Sequence, residues 1–282
     1  MYSLLLAVIY LAFISLGLPD ALLGSGWPTM YTQLQVPFSY AGIISMIISA
    51  GTIVSSFFSD RLTRKFGAGL VTAVSVLLTA GALFGFSVSD SFYLLCIMAI
   101  PYGLGAAVDA ALNNYVALHY SSRHMSWLHC FWGVGAAVSP YIMGFCLGKG
   151  LGWSRGYFSV SMIQIVITAI LFISLPLWKS RTDEKEGGIE PKGAEAEQIQ
   201  TDQTKTASSK ALSLREILRI KGAPYILITF FAYSAMETTT GLWASSYLVQ
   251  YLLMEPEKAA KFASFFYLGI TVGRFLCGFV AD

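Results

Sequence analysis

Long stretches without a charged residue are the feature that most constrains this chain. Ala21–Ser59, Phe66–Ser89, Met125–Gly148 and Gly156–Trp178 contain no Asp, Glu, Lys or Arg. A run of roughly 18 apolar residues is long enough to cross a bilayer as a helix. The chain has 282 residues, 55% hydrophobic and 12% charged, so these runs cannot all be buried in a soluble core. They predict an all-α membrane protein, because they lack the alternating pattern of a membrane-spanning barrel.

Eight transmembrane helices are expected from this pattern, near residues 2–26, 38–59, 67–88, 92–118, 126–147, 155–178, 223–253 and 260–281. The distribution of Lys and Arg predicts their orientation, since these residues are enriched in cytoplasmic loops. Most of the 18 lie in the connections that follow helices 2, 4 and 6. We therefore expect a multi-pass protein of the cell membrane with a cytoplasmic N-terminus.

A charged segment divides the helices into two groups. Half of all the charged side chains fall within residues 179–221. Such a segment cannot bury enough apolar surface to become ordered, so we expect a cytoplasmic linker. Its last part, Leu212–Lys221, is basic and amphipathic, which is typical of a helix at the membrane interface. The predicted organisation is a six-helix bundle over 1–178, the linker, and an incomplete second bundle of helices 7 and 8 over 222–282.

The two helical groups contain an internal repeat. Matching residues recur at a nearly constant spacing: Asp20 and Glu237, Gly24 and Gly241, Trp27 and Trp243, Asp60 and Asp282. Many transporters are built from repeats, and their substrate site lies between the two halves. The repeat therefore favours a secondary transporter.

The connection after helix 2 resembles the cytoplasmic signature of the major facilitator superfamily. Here it reads Ser56, Asp60, Arg61, Thr63, Arg64 and Lys65, with serine and threonine where that family usually has glycine. The resemblance implies a twelve-helix fold, so we expect a chain truncated at its C-terminal end. Within the superfamily, Gly103–Ala117 and Leu128–Pro140 are similar to sugar:proton symporters related to fucose permease. A conformational latch is also expected at the cytoplasmic face, formed by Asp60, Arg61, Arg64, Lys65 and Asp282.

Ionisable residues inside a membrane are candidate functional groups, because burying them in lipid is costly. Asp109 lies in the middle of predicted helix 4, and Asp20 follows Pro19 where helix 1 is expected to break. A carboxyl group in a low-dielectric environment becomes neutral closer to physiological pH. We expect Asp109, and in second place Asp20, to couple transport to protons. The alternatives are a polar clasp between helices for Asp109, and an interfacial or capping role for Asp20.

Substrate contacts are expected from polar and aromatic residues in the same helices: Asn113, Asn114, His129, Trp27, Glu237 and Trp243. Amides offer both donors and acceptors to sugar hydroxyl groups, and indole rings can stack on a sugar. For any one tryptophan, packing or anchoring at the membrane interface is the alternative.

The favoured function is proton-coupled symport of a small polar solute, a sugar. A Gly-Pro run in helix 5 resembles an antiporter signature, which leaves a proton-driven exporter of amphipathic compounds as the alternative. A non-transporting membrane fragment is a further alternative.

No arrangement of nucleophile and base predicts an enzyme, and no cofactor or metal site is expected. The net charge of +2 is too small to indicate a nucleic-acid partner. The expected partners are the solute, protons and the lipid bilayer, with the chain as a monomer.

Overall fold

A computed structural model describes residues 2–120, 122–178 and 219–280 of the chain. The regular structure of these residues is entirely helical, as predicted. The α-helices are α1 (Tyr2–Asp20), α2 (Leu22–Gln33), α3 (Ala41–Phe66), α4 (Ala68–Ser87), α5 (Phe92–Gly105), α6 (Ala107–His119), α7 (Ser122–Gly148), α8 (Gly152–Ile173), α9 (Ala223–Gln250) and α10 (Pro256–Val280).

Among the described residues, six helical segments are long and apolar enough to cross a membrane: Leu4–Gln33, Phe38–Phe66, Ala68–Ser87, Arg123–Gly148, Gly152–Ile173 and Pro256–Phe279. The expected count of eight is therefore not confirmed. Predicted helix 4 is divided at Ala106 into the short helices α5 and α6. Predicted helix 7 forms as α9, but its Ser, Thr and Tyr residues and Glu237 lower its hydropathy.

The predicted break in the first helix lies at Ala21, between α1 and α2. Pro19 lies two residues before the break and removes one backbone hydrogen bond from the last turn of α1, which weakens that turn. The chain then continues as α2 to Gln33, beyond the predicted end at residue 26. Asp20 is consequently the last residue of α1, beside the break.

Helices α1 to α8 share one large hydrophobic core. Within it, α4 packs against α8 and α5, α1 packs against α7, and α3 packs against α5. Trp27, Phe13 and Tyr157 are among its largest fully buried side chains. This core fixes the helices that line the cavity described below.

Helices α9 and α10 pack on the outside of this core, α9 against α2 and α10 along α7. Glycines allow both contacts to be close. A Cβ atom at Gly24 of α2 would overlap the carbonyl oxygen of Gly241 in α9, and one at Gly133 of α7 would overlap the side chain of Thr271 in α10. Small residues let helix backbones approach in this way in membranes.

The predicted linker lies almost wholly outside the described residues, since only 219–221 of its 179–221 are included. Most of the amphipathic segment Leu212–Lys221 and Asp282 of the expected latch are also outside them. The division into bundle, linker and incomplete second bundle stays a prediction.

Candidate functional site between the two groups of helices

A cavity of about 640 Å³ lies where α9 and α10 face the core helices. Its lining includes polar groups from six helices: Asp20, Tyr102, His129, Gln164, Glu237 and Arg274. A second cavity, of about 270 Å³, lies beside it and shares Asp20, Tyr102, Trp132 and Glu237 with the first. The shared residues form a polar partition between the two cavities.

The two cavities lie toward opposite ends of the helices. The larger one extends along α1 toward Ser15 and along α10 toward Cys277. The smaller one extends past the break of the first helix to Leu23, and along α10 only to Tyr267. The larger cavity thus faces the end of the molecule where α1 begins, and the smaller cavity faces the other end.

The carboxylate of Asp20 is held at the partition by donors from two other helices. The hydroxyl group of Tyr102 in α5 donates to it at 3.0 Å, and the indole N–H of Trp132 in α7 donates to it at 2.8 Å. Hydrogen bonds to an ionised carboxylate are stronger than those between neutral groups. Asp20 therefore links α1 to α5 and α7.

Arg274 and Glu237 form an ion pair that joins α10 to α9. The Nη2 atom of Arg274 donates to the two carboxylate oxygens of Glu237 at 3.2 and 3.3 Å. It also donates to the hydroxyl group of Tyr233 at 2.9 Å. The side chains of Arg274 and Glu237 are 24% and 15% exposed, so this pair lies mostly away from the surface.

Trp132 connects the Asp20 carboxylate to the Arg274 guanidinium. Its N–H group bonds to Asp20, and the guanidinium carbon of Arg274 lies 4.7 Å from the centre of its ring. A cation over an aromatic face is attracted by the electron density of the ring. Tyr267 of α10 meets the same ring edge-on at 6.2 Å. One indole ring thus brings groups of α1 and α10 into a single network.

Gln164 of α8 is tied to α1 by two hydrogen bonds in the wall of the larger cavity. Its amide nitrogen donates to the backbone oxygen of Ser15 at 2.6 Å, and the hydroxyl group of Ser15 donates to its amide oxygen at 3.2 Å. Both residues are buried. This pair holds the polar wall rigid, and its hydrogen-bonding groups are already used within the protein.

Two predicted substrate residues, His129 and Glu237, lie in the lining of the larger cavity. The two predicted tryptophans lie elsewhere. Trp27 is fully buried, and its indole N–H donates to the backbone oxygen of Phe38 at 2.7 Å. Trp243 packs against the ring of Phe38, with ring centres 5.0 Å apart. Neither tryptophan lines either of the two cavities.

The residues predicted in α6 are not brought into the cavity lining. Asn113 is half-buried and Asn114 is exposed, and neither lines either cavity. Asp109 belongs to α6, but its side chain lies outside the described part of the chain. Its role in proton coupling stays a prediction.

The predicted latch residues lie at the end of α3. Asp60 pairs with Arg64 one turn further along the same helix. The ammonium group of Lys65 lies 5.2 Å from the centre of the Phe66 ring. Arg61 lines an apolar groove on the outer surface of the helices. The described contacts are thus local to α3, and the latch itself remains a prediction.

The sequence predicted no role for Tyr102 or for Arg274. The only signal for Arg274 is that it is the one charged residue in the inner part of an otherwise apolar helix. Tyr102 follows Pro101 in an apolar stretch, where a tyrosine is indistinguishable from a packing residue. Their partners depend on how the helices are rotated about their axes.

Comparison with known proteins gives a match over almost the whole chain. Residues 9–282 match the profile of the Major Facilitator Superfamily. The sequence is 24% identical to Bypass of stop codon protein 6 of Saccharomyces cerevisiae, over 96% of this chain and 55% of that protein. It is 22% identical to the cis,cis-muconate transport protein of Acinetobacter baylyi, over 97% of this chain and 64% of that protein. It is 23% identical to the glucose/mannose transporter GlcP of Bacillus subtilis, over 86% of this chain and 55% of that protein. The chain spans between half and two thirds of the length of these relatives.

Proposed function

Because the chain belongs to the Major Facilitator Superfamily, we propose that it acts in secondary transport of a small polar solute, as a proton-coupled sugar symporter. The single observation that carries this proposal is the polar cavity between the core helices and α9 with α10. Transporters of repeated architecture bind their substrates at such a junction. Similarity to proteins named as sugar and organic-acid transporters supports the same class of function.

The composition of the cavity suits a neutral polyhydroxy compound. A volume of about 640 Å³ is within the range of small-molecule sites, roughly 300–1,000 Å³. Sugar hydroxyl groups both donate and accept hydrogen bonds. Asp20 and Glu237 offer acceptors within this space. Arg274 offers N–H donors, and Trp132 offers an aromatic edge. The negative charge of Glu237 next to Arg274 also makes the site less favourable for a free carboxylate.

Proton coupling requires a carboxyl group whose protonation changes the contacts between moving helices. Asp20 meets this requirement through Trp132, because its protonation would weaken the bond from the indole N–H and so disturb the contact of that ring with Arg274 of α10. Asp109 is kept as a second proton site on the strength of the sequence. We also propose the plasma membrane as the location and a cytoplasmic N-terminus, from the distribution of Lys and Arg.

Ligand binding by the purified chain in detergent tests the site. We expect glucose or mannose to raise the temperature of unfolding, and Glu237→Gln to abolish that rise. Glu255→Gln, a matched change at an exposed carboxylate, should leave it intact. Stabilisation by cis,cis-muconate but not by sugars would overturn the sugar assignment and favour an organic acid.

Transport is tested separately in sealed vesicles that contain the reconstituted chain. We expect accumulation of radiolabelled glucose when an inward proton gradient is imposed, and loss of this accumulation in Asp20→Asn. Sugar binding without any gradient-driven accumulation would contradict symport while leaving the binding site in place.

A further inference from the structure

A second kind of cavity lies on the outer surface, away from the central site. It is an open groove of about 590 Å³ between α3 and α4, with Leu104 of α5 at its side. Its walls are formed mainly by large apolar side chains: Val54, Phe58, Leu62, Phe66, Val74 and Leu78. These six side chains are all substantially exposed. Helices α3 and α4 both pack on α5 and make little contact with each other, so the side chains of one do not cover those of the other.

One end of this α3–α4 groove is positively charged. Arg61 is part of its lining, and within the described part of the chain no ion pair neutralises it. The neighbouring Arg64 is paired with Asp60. Lys65 lies over the ring of Phe66, which itself lines the groove. The groove therefore combines an apolar trough with cationic groups at one end.

The dimensions of the groove fit within one leaflet of a bilayer. At 1.5 Å of rise per residue, the α3 lining of the groove runs about 18 Å from Val54 to Phe66, with Arg61 about 10 Å from Val54. One leaflet is about 20 Å thick with its headgroups, and about 15 Å of this is hydrocarbon. A molecule that fills the groove must place an apolar chain beside Val54 and a negatively charged group beside Arg61.

We propose that the α3–α4 groove binds an anionic phospholipid, with an acyl chain in the trough and the phosphate at Arg61. A second copy of the protein is a poorer occupant, because helices in lipid gain little from apolar contact alone and the exposed guanidinium would have to be buried. Basic groups between helices at the cytoplasmic side favour anionic over neutral headgroups. The charge pattern of the sequence predicts that this end of α3 is cytoplasmic. This site is separate from the transport cavity, and Arg61 is the residue that it shares with the predicted latch.

Native mass spectrometry of the purified, delipidated chain tests this proposal. The probes are dioleoyl phosphatidylglycerol and dioleoyl phosphatidylcholine, titrated in turn. We expect tighter binding of phosphatidylglycerol. Arg61→Gln should weaken its binding roughly fivefold, the effect of one basic residue near an anionic surface, and Arg61→Lys should restore most of it. Arg64→Gln is the matched control. It removes the same charge one turn away, but it should weaken binding less, because Arg64 is already paired with Asp60.

Filling the groove tests the acyl-chain part of the site. Val74→Trp and Leu78→Trp each place a bulky ring in the trough, and each should weaken binding of both lipids. Two separate positions are used so that a folding defect in one does not decide the result, and circular dichroism checks each variant. The proposal is overturned if Arg61→Gln retains the preference for phosphatidylglycerol or if both tryptophan variants bind lipid like the original chain. Complete displacement of the bound lipid by inorganic phosphate would also overturn the proposal, and so would dimers of the chain held together at this groove.

Discussion

Removing one member of the Glu237–Arg274 ion pair should destabilise the chain by an amount between those of surface and buried pairs. Exposed ion pairs contribute about 0–1 kcal/mol, whereas loss of one partner from a fully buried pair costs about 3–5 kcal/mol. The two side chains are 15% and 24% exposed, so water still screens part of their interaction. We expect a loss of about 2 kcal/mol for Glu237→Gln, because the change removes the negative charge that pairs with Arg274 and one of its two acceptor oxygens.

A double-mutant cycle measures this interaction directly. The free energy of unfolding of the original chain, Glu237→Gln, Arg274→Gln and the double variant is measured in mixed micelles by circular dichroism. The double variant should lose about 1–2 kcal/mol less than the sum of the single losses, because it leaves no unpaired charge. The pair of Lys258 and Glu255, at 2.9 Å and with 64% and 68% exposure, is the control, and its coupling should be close to zero. Additive losses for Glu237 and Arg274 would refute the reasoning.

Three further predictions concern the helix contacts and the topology. Gly24→Ala should destabilise the chain by about 1–3 kcal/mol through overlap with the α9 backbone, whereas Gly42→Ala, where the added Cβ meets open space, should be neutral or stabilising in the same unfolding assay. Trp132→Phe keeps a ring but removes the donor to Asp20, so it should cost about 1.5–3 kcal/mol; an unchanged free energy of unfolding would mean that this bond contributes nothing. Cysteines introduced into residues 179–221 should react with impermeant reagents only after the cell is opened, and labelling from outside would reverse the predicted orientation.

The helices could be predicted from the sequence because the requirement for uninterrupted apolar runs is strong in lipid. The residues at which the helices end could be predicted less closely. The first helical segment continues past residue 26 because Trp27 and Met30 extend its buried face, and a core contact of this kind leaves no mark in composition. The fourth predicted helix is interrupted at Ala106, directly after Gly103 and Gly105, which weaken a helix.

The candidate site could be predicted only in part. Asp20 and Glu237 could be predicted, because a carboxylate in an apolar helix needs a partner or a function. Both residues line the cavity. The tryptophans show the limit of this reasoning. Trp27 lies in the core and Trp132 at the centre of the polar network, yet both stand in similar Gly-rich surroundings in the sequence. The difference lies in the rotation of each helix, which tertiary packing determines.

The internal repeat explains why certain pairs of residues meet. Asp20 and Glu237, equivalent in the two copies, line both cavities, and the backbones of the equivalent Gly24 and Gly241 are in direct contact. Repeats related by an axis along the membrane normal bring equivalent positions near that axis together. The glycine contact has no side chain that could rotate aside. Opening the molecule beside the smaller cavity therefore requires α9 to move relative to α2 as a rigid element. The contacts of Arg274 to Glu237 of α9 and to Trp132 of α7 are placed to resist this movement.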